Sequence, residues 1–125
     1  MKKILATLAV LCLGAGFCFG QGAALDVLQR RFVDLRFGMF IHFNMPTYVD
    51  EDWPDPDASP DLFNPVKLDC RQWAKAAKSA GMTYGCLTTK HHSGFCIWDT
   101  KTTRYSVMSS PFKHDVVKEY ADAFR

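Results

Sequence analysis

The sequence predicts an α/β protein built as a βαβα unit of a parallel sheet. Two short, nearly unbroken apolar runs, at 36–43 and 83–89, each lead into a long polar loop. Each loop is followed by a segment whose apolar residues recur at helical spacing. The order is therefore strand, loop, helix, strand, loop, helix. Composition agrees with a packed domain: of 125 residues, 48% are hydrophobic and 22% charged, which excludes low-complexity disorder and collagen-like repeats. Aromatic side chains reach 14%, enough for a large core or for a site that stacks on flat ligands.

The chain opens with an address rather than a fold element. Met1-Lys2-Lys3 is a short basic region, and Ile4 to Phe19 carries no charge. Cys18-Phe19-Gly20 offers small residues on either side of Phe19, before a cut ahead of Gln21. This is the layout of a secretory signal peptide, residues 1–20, leaving 21–125 as the mature chain, exported to the periplasm or secreted. The alternative is a membrane anchor, but Gly14, Gly16 and Gly20 break the apolar stretch, and a spanning helix needs about 20 apolar residues. No stable membrane insertion is expected. Lys2 and Lys3 account for the whole formal charge of +2. Without them the chain is neutral and exerts no long-range pull on phosphate backbones, so no nucleic-acid partner is expected.

The elements follow in order. Leu25, Leu28, Phe32 and Leu35 share one face of a short amphipathic helix over Ala24–Leu35. Residues 36–43 then read as a strand buried on both faces. Gly38, Phe40 and His42 share one of its faces, with His42 at its C-terminal end. Asn44 to Pro65 is a long, turn-rich loop with five prolines and six acidic residues, and a connection of that length is functional or disordered. Trp53, set among the acids, argues against plain disorder. Asp69 can cap the next helix with Gln72 three residues on. Trp73, Ala76, Ala77 and Ala80 form its apolar stripe, and Gly81 ends it. The second strand, Thr83–Thr89, runs into Lys90-His91-His92-Ser93-Gly94. Asp115 caps a last helix with Val116, Val117, Tyr120, Ala121 and Phe124 inward. The chain stops at Arg125 inside that helix without a Gly or Asn cap, as expected of a fragment.

Both polar clusters lie just beyond strand C-termini, the edge where α/β folds build their sites. His42 is either a hydrogen-bonded core histidine or a site residue. The His91-His92 pair, between an apolar strand and a glycine turn, is uncommon as core filler. On a regular strand the two rings would point to opposite faces, so they would not chelate one metal together. No metal-ligand motif is present, and neither a metal nor another cofactor is expected. The acidic loop lacks the spacing of a calcium loop, and most of its acids read as a solvated surface. Asp52-Trp53 is the exception. A carboxylate beside an indole can hydrogen-bond sugar hydroxyls while the ring covers an apolar sugar face. Cys70, Cys86 and Cys96 read as buried, unpaired thiols. There is no N-glycosylation acceptor, because neither Asn44 nor Asn64 is followed two positions on by Ser or Thr.

Two of these segments together resemble one family. Phe37-Gly38-Met39-Phe40-Ile41-His42-Phe43 is similar to the first strand of the α-L-fucosidases of glycoside hydrolase family 29. Leu87 to Trp98, containing Lys90-His91-His92-Ser93-Gly94-Phe95, is similar to their second strand and loop. Phe63-Asn64-Pro65, the Trp73 helix and the Asp115-Val116-Val117 helix start fall in the family's order. The resemblance implies a (β/α)8 barrel, of which this chain would hold the first two strand–helix units. It implies a retaining hydrolase with an Asp nucleophile and a Glu acid/base, both from later strands, so no catalytic residue is expected here. It assigns His42, Asp52, Trp53, His91 and His92 to the binding of a fucosylated glycan, and it implies no cofactor. Asp52 stands where the family usually has Glu, one methylene longer. Ser93 stands where Asp usually follows the paired histidines. An alternative of another class is a non-catalytic fucose-binding or degenerate protein that keeps the sugar pocket. A metal-dependent hydrolase using the histidine cluster is a third.

Overall fold

A computed structural model describes residues 24–125. The expected signal peptide and its cleavage site lie outside the described residues. The helix α1 spans Leu25–Asp34. Arg36, in the left-handed region at φ 65°, turns the chain out of it and into β1, Gly38–Ile41. The long loop carries a short helix α2 at Pro46–Val49 and a 3-10 turn at Pro60–Leu62. Then come α3, Cys70–Ser79, and β2, Tyr84–Leu87. A 3-10 turn at Val107–Ser109 precedes the last helix, α4, Val116–Phe124.

The two strands pair in parallel, Gly38 opposite Tyr84 through Ile41 opposite Leu87. The connection that joins them contains α3, as a βαβ unit requires. Both long helices start where the sequence places their caps. The Asp69 carboxylate accepts from the backbone N–H of Arg71 at 2.9 Å and of Gln72 at 3.1 Å. Asp115 accepts from Lys118 N–H at 2.8 Å. Gly81, at φ +74°, ends α3 in the left-handed conformation that a Cβ would oppose.

The strands are not buried on both faces, as the apolar runs predict. Phe40 is 68% exposed and Phe37 52%. Partners in a parallel ladder share faces, so Phe40 and Cys86 look out together, and Cys86 is exposed rather than buried. Tyr84 lies over Gly38 on that face, where any side chain at Gly38 would collide with its ring. The reason for the exposure is topological: among the described residues the sheet has only these two strands. The other face packs on the helices, and Gly85 lets Tyr120 and Phe124 of α4 approach closely. The apolar side of α1 is likewise open, with Leu25, Leu28 and Phe32 all exposed.

The core lies at the C-terminal ends of the strands, under the loops. Met45, Phe63, Phe95, Ile97 and Val107 are fully buried there, with Val116 from α4 and Cys70 from α3. Helix α3 buries Cys70 and Ala77, with Trp73 half-buried, while Ala76 and Ala80 of the expected stripe are exposed. Helix α4 turns Ala123 to the core rather than Ala121. Both corrections are a rotation of the helix within one turn. Burial of the Cys70 thiol, with the nearby Glu119 and Asp69 carboxylates, pushes its pKa up to about 11. Cys70 and Cys96 are buried free thiols, as expected.

Candidate functional site

The sheet register continues one step past the strands and begins the site. Thr88 N–H donates to Ile41 C=O at 2.9 Å, which sets His42 beside Thr88. The His42 ring then shares a hydrogen bond with the Thr88 hydroxyl, Nδ1 to Oγ1 at 2.9 Å. His42 is exposed, so it is not a core histidine. With Nδ1 engaged, Nε2 is the nitrogen left for an outside partner.

His91 and His92 do not occupy a strand, because β2 ends at Leu87. They begin a turn closed by Gly94 N–H to His91 C=O at 2.9 Å, with Gly94 at φ +92°. Their rings are therefore neighbours rather than on opposite faces, with centroids 4.3 Å apart and edge-on. The His91 ring reaches the His42 ring at 5.0 Å, also edge-on. Trp53 closes the group from the acidic loop, 4.4 Å from His92 and 6.3 Å from His91 between centroids. The indole is 74% exposed, so one side of it remains open to a ligand. Asp52 lies near enough to His91 to favour its protonated form. Burial outweighs that effect and, with the repulsion of His92 and His42, lowers the His91 pKa from 6.5. His42, Asp52, Trp53, His91 and His92 thus converge on the C-terminal edge of the strand pair from three separate segments. The fourth histidine, His114, sits apart on Phe112 and within 3.3 Å of Glu119.

The group is an aromatic and imidazole surface with one carboxylate beside it. Neutral imidazoles both donate and accept, and the indole presents an apolar face. That set suits a neutral, hydroxyl-bearing ligand with an apolar side. Among the described residues, no three His, Cys, Asp or Glu side chains are grouped to hold a metal ion.

Several supporting residues were not singled out by motif. Thr88 orients His42. Asn44 is buried, accepts from Met45 N–H at 2.8 Å and donates toward Phe95 C=O at 3.5 Å, joining the first loop to the second. A polar residue directly after an apolar strand was the available signal for Asn44. The second loop is stitched by Cys96 N–H to Tyr105 C=O at 3.1 Å and Val107 N–H to Cys96 C=O at 2.8 Å. Val116 N–H to Ile97 C=O at 3.0 Å then anchors it to α4.

A parallel strand pair with an α crossover and polar groups gathered at its C-terminal edge defines an α/β protein of the kind that carries its site on that edge. The sequence profile described as α-L-fucosidase matches residues 47–125. α-L-Fucosidase 1 of Arabidopsis thaliana is 44% identical over 88 residues, covering 68% of this chain and 17% of the plant protein. The crystal structure of a glycoside hydrolase 29 family member from an unknown rumen bacterium superposes with a TM-score of 0.72 at 50% identity. That match covers 76% of this chain and 18% of the bacterial one. An α-L-fucosidase of Bacteroides thetaiotaomicron, solved as a trapped covalent intermediate with 2-fluoro-fucosyl fluoride, gives 0.72 at 33% identity. It covers 83% of this chain and 28% of that one. The chain belongs to the α-L-fucosidase family, a family of glycosidases. It spans under a third of the length of each of these three relatives.

Proposed function

We propose that the complete protein is an exported, retaining α-L-fucosidase that hydrolyses terminal α-L-fucosyl linkages of glycans. Residues 21–125 supply the sugar-binding side of its site. The observation that carries this reading is the meeting of His42, His91, His92 and Trp53 in a chain of this family. In this reading the imidazoles and Asp52 hydrogen-bond the fucose hydroxyls, and the indole covers the apolar side of the ring. The nucleophile and the acid/base come from other parts of the protein. The covalent intermediate trapped in the Bacteroides relative supports double displacement for that enzyme, and we carry the mechanism over by kinship.

The same reading makes β1 and β2, with the helices that follow them, the first two units of a (β/α)8 barrel. The outward Phe40 and Cys86 then face the barrel interior, and the exposed edges of the pair receive further strands. Residues 1–20 act as the export signal. N-terminal sequencing of secreted or periplasmic protein should start at or near Gln21, and recovery of intact Met1 in the membrane fraction would revive the anchor.

The deciding experiment is His92→Ala in the complete protein, assayed on an aryl α-L-fucoside. Loss of one hydrogen bond in a desolvated site costs about 1–3 kcal/mol, roughly 5- to 150-fold in kcat/KM. Unchanged kinetics would refute the assignment. Wild-type protein that binds fucose without turning over the fucoside would replace the hydrolase by a non-catalytic sugar-binding protein, the reading that the Asp52 and Ser93 departures favour.

A further inference from the structure

The aromatic packing around His42 leaves one choice open, and a single hydroxyl makes it. The ring lies beside Phe40, with centroids 5.7 Å and planes 32° apart, and meets His91 edge-on at 5.0 Å. Those contacts hold the plane of the imidazole. They do not distinguish its two flips, because a half-turn about the Cβ–Cγ bond exchanges Nδ1 with Cδ2 and Nε2 with Cε1 at nearly the same shape. Thr88 distinguishes them. Its Oγ1 lies 2.9 Å from Nδ1, and its backbone is held by the N–H it donates to Ile41 C=O at 2.9 Å. In the other flip a ring carbon would face the hydroxyl and the bond would be lost.

The direction of the bond follows from what else each partner can do. His42 Nδ1 is the one hydrogen-bond partner of the Thr88 hydroxyl among the described residues. A hydroxyl that donates to Nδ1 uses its proton, whereas one that accepts from it leaves that proton without a protein partner. A neutral imidazole carries one N–H, so a lone pair on Nδ1 puts the proton on Nε2. The Nε2–H form is also the intrinsically favoured tautomer of a histidine side chain. We propose that Thr88 is a positioning residue for the sugar site: its hydroxyl donates to His42 Nδ1, fixes the flip and the tautomer of the ring, and so makes Nε2–H a donor to a sugar hydroxyl oxygen.

The inference rests on the fucosidase reading for its kinetic readout but not for its spectroscopic one. Thr88→Val keeps the branched shape and the backbone pairing and removes the hydroxyl, while Thr88→Ser keeps the hydroxyl. The complete protein is labelled with nitrogen isotope at histidine, and the His42 signals are assigned by their loss in His42→Gln. At mildly alkaline pH, where an ordinary imidazole is neutral, the wild-type ring should show a protonated Nε2 and an unprotonated Nδ1. Thr88→Val should move both nitrogen shifts toward the average of the two tautomers, and Thr88→Ser should keep the wild-type pattern. On an aryl α-L-fucoside Thr88→Val should lower kcat/KM about three- to tenfold, and Thr88→Ser should recover most of that loss. A proton on Nδ1 in the wild-type ring would overturn the proposal. So would nitrogen shifts unmoved in Thr88→Val, whatever its Tm, since Thr88 would then have a structural role only. Unchanged kcat/KM in Thr88→Val of an enzyme that does turn over would overturn it equally. Wild-type protein inert toward fucosides would instead sink the activity reading, and the His42 nitrogen shifts would still decide this one.

Discussion

The His42 and His91 rings meet edge-on at 5.0 Å, although one follows β1 and the other follows β2. Parallel pairing is what brings them together. The ladder aligns Ile41 with Leu87, and the next position on each strand exits toward the same edge. The pair then has an electrostatic consequence, because a proton on His42 is felt by His91.

The His91 pKa is lowered from 6.5 by burial first, then by His92 and His42, with Asp52 opposing. A histidine titration followed by NMR should place it below 6.5 in the folded protein. His92→Ala should move it up, and Asp52→Asn should move it further down. Because the unfolded chain binds this proton more tightly, the contribution to stability is complete above about pH 6.5 and declines as pH falls toward the lowered value. A His91 titration above that of an unfolded peptide would show that the cluster is not packed as described.

Trp53 is mostly exposed yet packs against His92, and in the proposed reading its open side receives the sugar. Trp53→Ala should therefore leave stability within about 0.5 kcal/mol, as for other surface changes. Binding of an aryl fucoside should weaken by about 1 kcal/mol or more, roughly fivefold. Equal losses in Tm and in affinity would mean that the indole packs the fold rather than the ligand.

The two helix caps differ in what they hold. Asp69 caps α3 alone, so Asp69→Ala should cost about 1 kcal/mol. Asp115 caps α4 and also accepts from Asp99 N–H at 3.1 Å, tying the second loop to the helix. Asp115→Ala should cost about 2 kcal/mol, the cap and a second hydrogen bond together. Thermal unfolding should rank the two accordingly, and equal shifts would show that the Asp99 contact contributes nothing.

Gly85 sits where α4 crosses β2. An added Cβ would lie 2.6 Å from the Tyr120 hydroxyl and 2.6 Å from the Phe124 ring. Gly85→Ala should destabilise by about 1–3 kcal/mol through overpacking. Pairing it with Phe124→Leu should recover part of that loss, and strict additivity of the two changes would refute the close approach.

The helices and their ends were legible in the sequence because their causes are local. Asp69, Asp115 and Gly81 act on groups within a few residues of themselves, and the apolar periodicity of α3 and α4 needs no distant partner. The order of elements, and hence the parallel pairing, followed from the same reading. The five residues of the candidate site were named from their motifs and the family resemblance, and the structure brings them near one another. Strand burial was not legible, because burial belongs to whatever lies across the sheet and not to the strand. Phe40 is apolar in either case, and only the neighbours decide whether it is covered. The choice of Ala123 over Ala121, and the exposure of Ala76 and Ala80 beside a buried Ala77, were set by how each helix rolls onto the sheet. The meeting of His91 with His92 was likewise tertiary. A regular strand would have separated them, but the strand ends at Leu87, and the Gly94 turn folds both rings toward His42 and Trp53. The residue types and their spacing carry the chemistry of the site, and backbone pairing between distant segments decides whether those residues face one another.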